Sequence, residues 1–284
     1  MVDVHLVITD RLPAGTDARA EVDPLVAACA DLGIEATPVR WNDDSVDWSA
    51  APLTVIRATW DYFDHPDEFV AWGERVRSVT QLQNPWSLVR WNMHKRYLID
   101  LAAAGFPVIP TRVVGPDRDL ELPDGPELIA KPVTGGGARG TFIGLRSDQA
   151  FIDRIHQEAE QSELVVQPLI ESIRDQGETS VLCIDNEVVN ATRKVPAAGD
   201  FRVHEVYGGT FTRIDPPGPE CELAQRLVGY VAPRGSLLYG RVDTVRIDDR
   251  PHLMELEIIE PAFYLELNPA IATAFAQAVQ ARLP

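Results

Sequence analysis

The segment "LMELEIIEP" (Leu253–Pro261) has the apolar content of a buried strand, yet it carries three glutamates. Glu255 and Glu257 are two residues apart, so an extended backbone turns both carboxylates to one face. Neighbouring carboxylates in an apolar run repel each other and lose hydration, which is sustainable only with a cation between them. Glu260 has the opposite parity and sits where the strand meets Pro261. It is assigned to strand-end structure or to contact with a substrate amine.

The preceding run, "LLYGRVDTVRI" (Leu237–Ile247), is separated from this one by the turn "DDRP", so the two are predicted to pair as an antiparallel hairpin. Arg241 and Asp243 share one face of the first strand, as Glu255 and Glu257 do on the second. If those faces coincide, three carboxylates and an arginine converge. Such a set suits Mg²⁺, which takes oxygen ligands from one or two carboxylates together with nucleotide phosphates. A buried salt-bridge network around Arg241 is the competing explanation.

A second motif tips the balance toward a metal. "AKPVTGGGARGTFIGL" (Ala130–Leu145) holds Gly135, Gly137 and Gly140 in G-x-G-x-x-G spacing. The dinucleotide-binding version of that spacing opens a helix, whereas Thr141–Leu145 reads as a strand. Walker A is excluded, because no glycine precedes Lys-Ser or Lys-Thr at the required distance, and a kinase is excluded by the lack of H-R-D and D-F-G. What remains is strand–glycine loop–strand, either an ordinary hairpin or a flap over phosphates. Lys131, inside the apolar strand "LIAKPV", favours the flap, since a buried lysine needs an anionic partner.

The first 85 residues alternate strands and helices: Val4–Asp10, a helix over Glu21–Leu32, "GIEATPVRW", "LTVIRATWDY" and the helix "PDEFVAWGERV" (Pro66–Val76). That rhythm predicts a small parallel α/β unit. Arg57 and Asp61 fall at the carboxyl end of one of its strands, where ligands of open sheets bind, and are read as substrate contacts. A core strand capped by Trp60 and Tyr62, with a surface ion pair, is an equal alternative. A helix is predicted from Asn92, as N-cap, to about Ala104. From Glu127 onward short strands dominate, with "DNE" (Asp185–Glu187) as a hairpin turn.

The chain has 284 residues, 45% hydrophobic and 24% charged, with a formal net charge of −17. That balance fits a globular protein and argues against nucleic acid or an anionic membrane as partner. Cys29, Cys183 and Cys221 are isolated, and the six histidines have no ligand spacing, so reduced thiols are expected. The first residues lack a signal peptide's basic region and no apolar run reaches membrane-spanning length, so the expected location is cytoplasmic. Oligomeric state is not legible.

Taken in order, "WNMHKRYL", "AKPV", "TGGGARG", "LVVQPLI", "GETS", "GRVD" and "MELE" resemble the ATP-grasp ligase superfamily, in its glutathione-synthetase-like and ribosomal-protein-glutamate-ligase-like branch. The resemblance implies an ATP-grasp fold of α/β and α+β parts, with a parallel α/β unit over 1–85. A linker helix and small flap-bearing subdomain would follow over 86–170, then a C-terminal subdomain with the metal site over 171–284. It implies ATP and Mg²⁺, with phosphate contacts from Lys95, Lys131, Lys194 and the flap residues Gly135, Gly136, Gly137, Arg139 and Gly140. Gln167, Pro168, Leu169 and Ile170 would meet the adenine, and Glu178 would stand near the nucleotide.

Metal ligands would be Asp243, Glu255 and Glu257, the last standing where most members have Asn. Arg241, Lys131 and Arg202 would serve the chemistry, and Arg193 would face phosphate or carboxylate. Arg57, Asp61, His204 and Glu260 would face an amino-acid-like small substrate. "RATWDY", "WNMHKRYL" and "MELEIIEP" narrow the resemblance to the cyclo-ligase subgroup that forms D-cycloserine from O-ureido-D-serine. An intermolecular amino-acid or peptide ligase and a non-catalytic nucleotide-binding module are the alternatives.

Overall fold

The computed structural model describes residues 2–11, 17–116, 121–203 and 207–284. β1 (Val4–Ile8) and β3 (Leu53–Ala58) are buried along their whole lengths, as parallel strands covered on both faces must be. With β2 (Ala36–Arg40) and β4 (Gln81–Gln83) they make a parallel sheet of order β2-β1-β3-β4. The crossovers include α1 (Ala18–Asp31), N-capped by the Asp17 carboxylate, and α2 (Pro66–Val76).

The chain then leaves this sheet through two short helices, α3 (Trp86–Asn92) and α4 (Tyr97–Ala103). The single helix expected from Asn92 is therefore wrong: Asn92 ends α3. Its side chain is engaged by backbone elsewhere, donating to the Leu256 carbonyl and accepting from Ile258 N–H. Tertiary demand for those buried backbone groups outweighs the local capping preference.

An antiparallel sheet follows, of order β5-β8-β6-β7, from β5 (Arg112–Val114), β6 (Glu127–Pro132), β7 (Phe142–Leu145) and β8 (Leu164–Pro168). α5 (Gln149–Ala159) covers it with Phe151, Ile155 and Ala159. After the short α6 (Ser172–Asp175) comes the third sheet. It contains β9 (Glu178–Ile184), β10 (Glu187–Val195), β11 (Thr210–Ile214), β12 (Tyr239–Ile247) and β13 (Arg250–Glu257), in the order β11-β10-β9-β12-β13. α7 (Gly218–Val231) packs on one face, and α8 (Ala270–Gln280) joins α1 in a core shared with the first sheet. The expected hairpins are present, their turns at Asp185–Asn186 and Asp248–Asp249, all four residues with positive φ.

Arg57 holds the first and third sheets together. It is 0% exposed, and its Nη2 donates to Glu21 on α1 at 2.6 Å and to the Pro261 carbonyl at 3.0 Å. The guanidinium lies 3.6 Å over the Phe263 ring and 4.8 Å over that of Tyr239. The side chain is wholly buried, with Nε and Nη1 unpartnered among the described residues, so the structure places Arg57 in the core, as the core-strand alternative has it, rather than at a substrate-facing surface.

Arg57→Ala is expected to lower unfolding free energy by about 3–5 kcal/mol, because it strands the Glu21 carboxylate in the core. Urea-unfolding midpoints would show it, and adding Glu21→Gln should recover part of the loss.

Candidate active site

In the β12–β13 pairing Arg241 lies opposite Glu257 and Asp243 opposite Glu255, so the two charged faces coincide. Arg241 Nε and Nη2 each donate to Asp243 at 2.9 Å, and Nη2 also pairs with Glu257. From β9, Ser180 Oγ donates to Asp243 at 2.6 Å. From β10, Lys194 pairs with Glu178 and reaches Asp243 at 3.4 Å. Lys95, between α3 and α4, pairs with Glu255 at 3.1 Å. The cations the carboxylates require are thus Arg241, Lys194 and Lys95.

Enclosure sets the protonation of the cluster. Burial would raise Asp243, but Arg241 and Lys194 outweigh it and hold the carboxyl well below the usual range. Burial likewise opposes ionisation of Glu255, and Lys95 and Lys131 bring it below its ordinary value. Glu257 is pushed up to about 7 by burial, against the pull of Arg241, with Asp243 and Glu255 adding repulsion. Burial, aided by Asp243, lifts Glu178 to about 7 in spite of Lys194.

Among the described residues no three carboxyl, imidazole or thiol groups close to metal-ligand spacing. The donor set still suits Mg²⁺: buried, hard-oxygen carboxylates on adjoining strands, each now matched to a side-chain cation. Mg²⁺ completes its shell with substrate phosphates and water.

The glycine loop joins β6 to β7 as a hairpin, with Gly137 and Gly140 at φ +59° and +66°. A Cβ on Gly140 would fall 2.9 Å from Pro132 Cγ, so only glycine fits there. Lys95 binds this loop twice, its N–H donating to the Val133 carbonyl at 2.8 Å and its Nζ to the Gly135 carbonyl. Lys131 makes no ion pair or hydrogen bond among the described residues. Burial pushes its pKa below the ordinary lysine value, with Glu255 pulling the other way. Gly136 lies against Phe63.

At the end of β8, Gln167 donates to Thr111 Oγ1 at 2.9 Å and Leu169 N–H to the Glu127 carbonyl at 2.9 Å. Pro168 ends the strand. Ile170 belongs to an apolar cluster with Ile109, Phe201, Val245 and Met254.

Residues 4–84 match the family described as D-cycloserine synthetase DcsG, N-terminal domain, and residues 120–270 the prokaryotic glutathione synthetase ATP-grasp domain. The chain is 34% identical to the cycloserine biosynthesis protein DcsG of Streptomyces lavendulae over 294 aligned residues, covering 98% of both proteins. The chain is an ATP-grasp ligase of the D-cycloserine synthetase family. The crystal structure of D-cycloserine synthetase DcsG superposes with a TM-score of 0.86 at 32% identity, covering 99% of this chain and 100% of that one. A D-alanine–D-alanine ligase from Bacillus anthracis shares the fold, with a TM-score of 0.71 at 15% identity over 99% and 97% of the two chains. ATP binding comes with the ATP-grasp family. Among the described residues no helix is long and apolar enough to cross a membrane.

Several residues expected in this ATP-grasp site lie elsewhere. Arg202 binds Asp200 at 2.8 Å and stacks 3.8 Å over Tyr207. Expected to serve the chemistry, it is instead paired with a carboxylate two residues away. Arg193 is turned to the opposite face of β10 from Lys194 and lines a small cavity with Glu220 and Arg246. Arg139 turns to the first sheet's loop, pairing with Asp64 at 2.7 Å and lying 5.1 Å over Phe63. Asp61 is buried and accepts from Trp41 Nε1 at 2.8 Å, while its Oδ2 has no partner. His204 lies outside the described residues.

Glu260 does reach the cluster. After β13 the chain reverses, and the Glu260 carboxyl lies within the electrostatic field of Glu257, Lys95, Glu255 and Arg241. Among the described residues that carboxyl makes no hydrogen bond or ion pair. Burial, with Glu257 adding repulsion, pushes it up to about 8. Sequence reasoning missed Ser180, although it shares a strand face with Glu178, and it missed Met254, for which alternation gives no signal.

With its carboxyl at about 8 against an ordinary 4.5, Glu260 keeps a proton in the folded chain that the unfolded chain has released. Stability therefore falls as pH rises through that window, and Glu257 and Glu178 add to the slope in its lower part. Glu260→Gln is expected to flatten the upper part of the profile, read as urea midpoints at about pH 5, 6.5 and 8. An unchanged slope would place the ionisation elsewhere.

Proposed function

We propose that this chain closes O-ureido-D-serine to D-cycloserine at the expense of ATP, in three units spanning residues 1–85, 86–170 and 171–284. The observation that carries the reading is Lys131, a partly enclosed ammonium on the strand that leads into the glycine loop, which feels Glu255 but makes no ion pair or hydrogen bond among the described residues. A phosphate chain is the missing partner. Similarity to the cycloserine biosynthesis protein along nearly the whole chain supports the substrate.

Lys131, Lys95 and the loop's backbone N–H groups bind the ATP phosphates, and the residues after β8 with Met254 and Ile109 offer an apolar slot for the base. Asp243, Glu255 and Glu257 hold Mg²⁺, which when bound neutralises phosphate charge. Glu260, half-buried and unpaired among the described residues, meets the substrate's ammonium.

A substrate carboxylate oxygen attacks the γ-phosphorus, forming the C–O–P bond as the bond to ADP breaks. Positioning and charge neutralisation supply most of the catalysis. The alkoxyamine nitrogen then attacks the acyl carbon, phosphate leaves, and the nitrogen's proton departs with it. Arg241 offsets charge on the acyl oxygen. The closed loop excludes water and enforces a folded substrate. The ring nitrogen carries a carbamoyl group that D-cycloserine lacks. That group leaves with one water as carbon dioxide and ammonia.

Incubation with ATP, Mg²⁺ and O-ureido-D-serine is expected to release ADP and give D-cycloserine by mass spectrometry. A strict requirement for a second amine would instead establish an intermolecular ligase. Glu255→Ala should abolish turnover with folding intact. Lys131→Ala should weaken ATP binding by ~10–150-fold in calorimetry, the value of one charge-assisted hydrogen bond. Unchanged affinity would remove Lys131 from the phosphate site.

A further inference from the structure

The loop after β13 holds one residue that the reaction described above leaves without a task. Tyr264 has φ +56°, a left-handed conformation rarely adopted by a bulky side chain. Such strain persists only where the surroundings over-determine it, and it gathers at functional sites. Here the surroundings do so from several sides. Arg57 holds the Pro261 carbonyl, Arg241 Nη1 holds the Ala262 carbonyl at 3.2 Å, and Glu21 accepts from Phe263 N–H at 3.0 Å. The Tyr264 carbonyl itself accepts from Leu267 N–H at 3.0 Å.

The result is a ring that is 7% exposed, packed edge-on against Phe211 with centroids 5.1 Å apart. It lies 5.4 Å from the Arg241 guanidinium carbon and 6.0 Å from Lys194 Nζ. The phenol oxygen lies within the field of Arg241, Lys194, Asp243 and Glu257. Both cations are occupied by carboxylates, whereas the phenol makes no hydrogen bond among the described residues. Tyr62 and Tyr97, also buried beside the cluster, have carboxylates as their charged neighbours. Tyr264 alone pairs an unused O–H donor with two nearby cations, the surroundings that attract an anionic oxygen.

We propose that Tyr264 is a catalytic residue whose hydroxyl donates to the substrate carboxyl oxygen that becomes the acyl oxygen of the acylphosphate, beside Arg241. The inference rests on the ligase reading above and adds a donor to it. The phenol keeps its proton throughout: it contributes a hydrogen bond that strengthens as negative charge gathers on that oxygen when nitrogen attacks the acyl carbon. The backbone strain is what aims it.

The test is Tyr264→Phe, which keeps the ring, its packing and the cation contacts. The kcat for ADP release with O-ureido-D-serine is expected to fall ~100-fold, within the range for loss of one oxyanion donor. ATP affinity by calorimetry and the melting temperature should match the wild type. A kcat within about twofold of wild type would overturn the proposal, as the range for a lost donor starts far above it. Parallel loss of ATP affinity or of stability would also overturn it, by giving the hydroxyl a nucleotide-binding or packing role. An inert wild type would overturn this proposal and the substrate reading together. An active wild type with an unimpaired variant overturns Tyr264 alone.

Discussion

The Arg57 guanidinium is wholly removed from water, so it can stay charged only inside a cage of acceptors and aromatic faces. Glu21, the Pro261 carbonyl and the rings of Phe263 and Tyr239 form that cage. Each wall comes from a different part of the chain: α1, the loop after β13, and β12. Because Glu21 also accepts from Phe263 N–H, the ion pair fixes the path of residues 261–263. That path brings Glu260 back to the carboxylate strands and twists the backbone at Tyr264. The first sheet thus shapes the loop after β13 through a residue buried in the core.

Around that loop the charges are nearly balanced. Lys95, Lys131, Lys194 and Arg241 face Glu178, Asp243, Glu255, Glu257 and Glu260, and three of the five carboxyls are pushed toward neutrality. Removing one partner of such a set is costlier than removing both, since the remaining charge stays desolvated. The same balance explains how a wall of glutamates folds without a metal. Arg241 and the lysines occupy the places beside the carboxylates that, on the proposed reading, Mg²⁺ and phosphates would take.

What could be read from the chain followed from period. Strand alternation pairs Glu255 with Glu257 and Arg241 with Asp243 on their own strands, but the two faces coincide only because a bulge at Met254 shifts by one residue the register that the two-residue turn sets. The glycine loop was legible because the strand after it ruled out a helix. Arg57 was misread because an arginine at the end of an α/β strand looks locally the same whether it meets a ligand or a glutamate 36 residues earlier. Arg202 was lost to Asp200, a local competitor. The return of Glu260 depends on a contact spanning 204 positions, from Arg57 to Pro261, and no periodicity reports that. Asn92 makes the same point, with a side chain that caps backbone groups more than 160 residues away.

Lys95 gives the loop a property of its own. In this structure the ammonium is already bound to the Gly135 carbonyl and to Glu255, so under the proposed reading a phosphate arriving at Lys95 would exchange partners with it rather than add one. Each such contact would be offset by a protein contact surrendered. The surrendered contacts are the ones that tie the glycine loop to the linker and to β13. A phosphate bound there would therefore release the loop from the linker and from β13 while offering it a new surface to close upon.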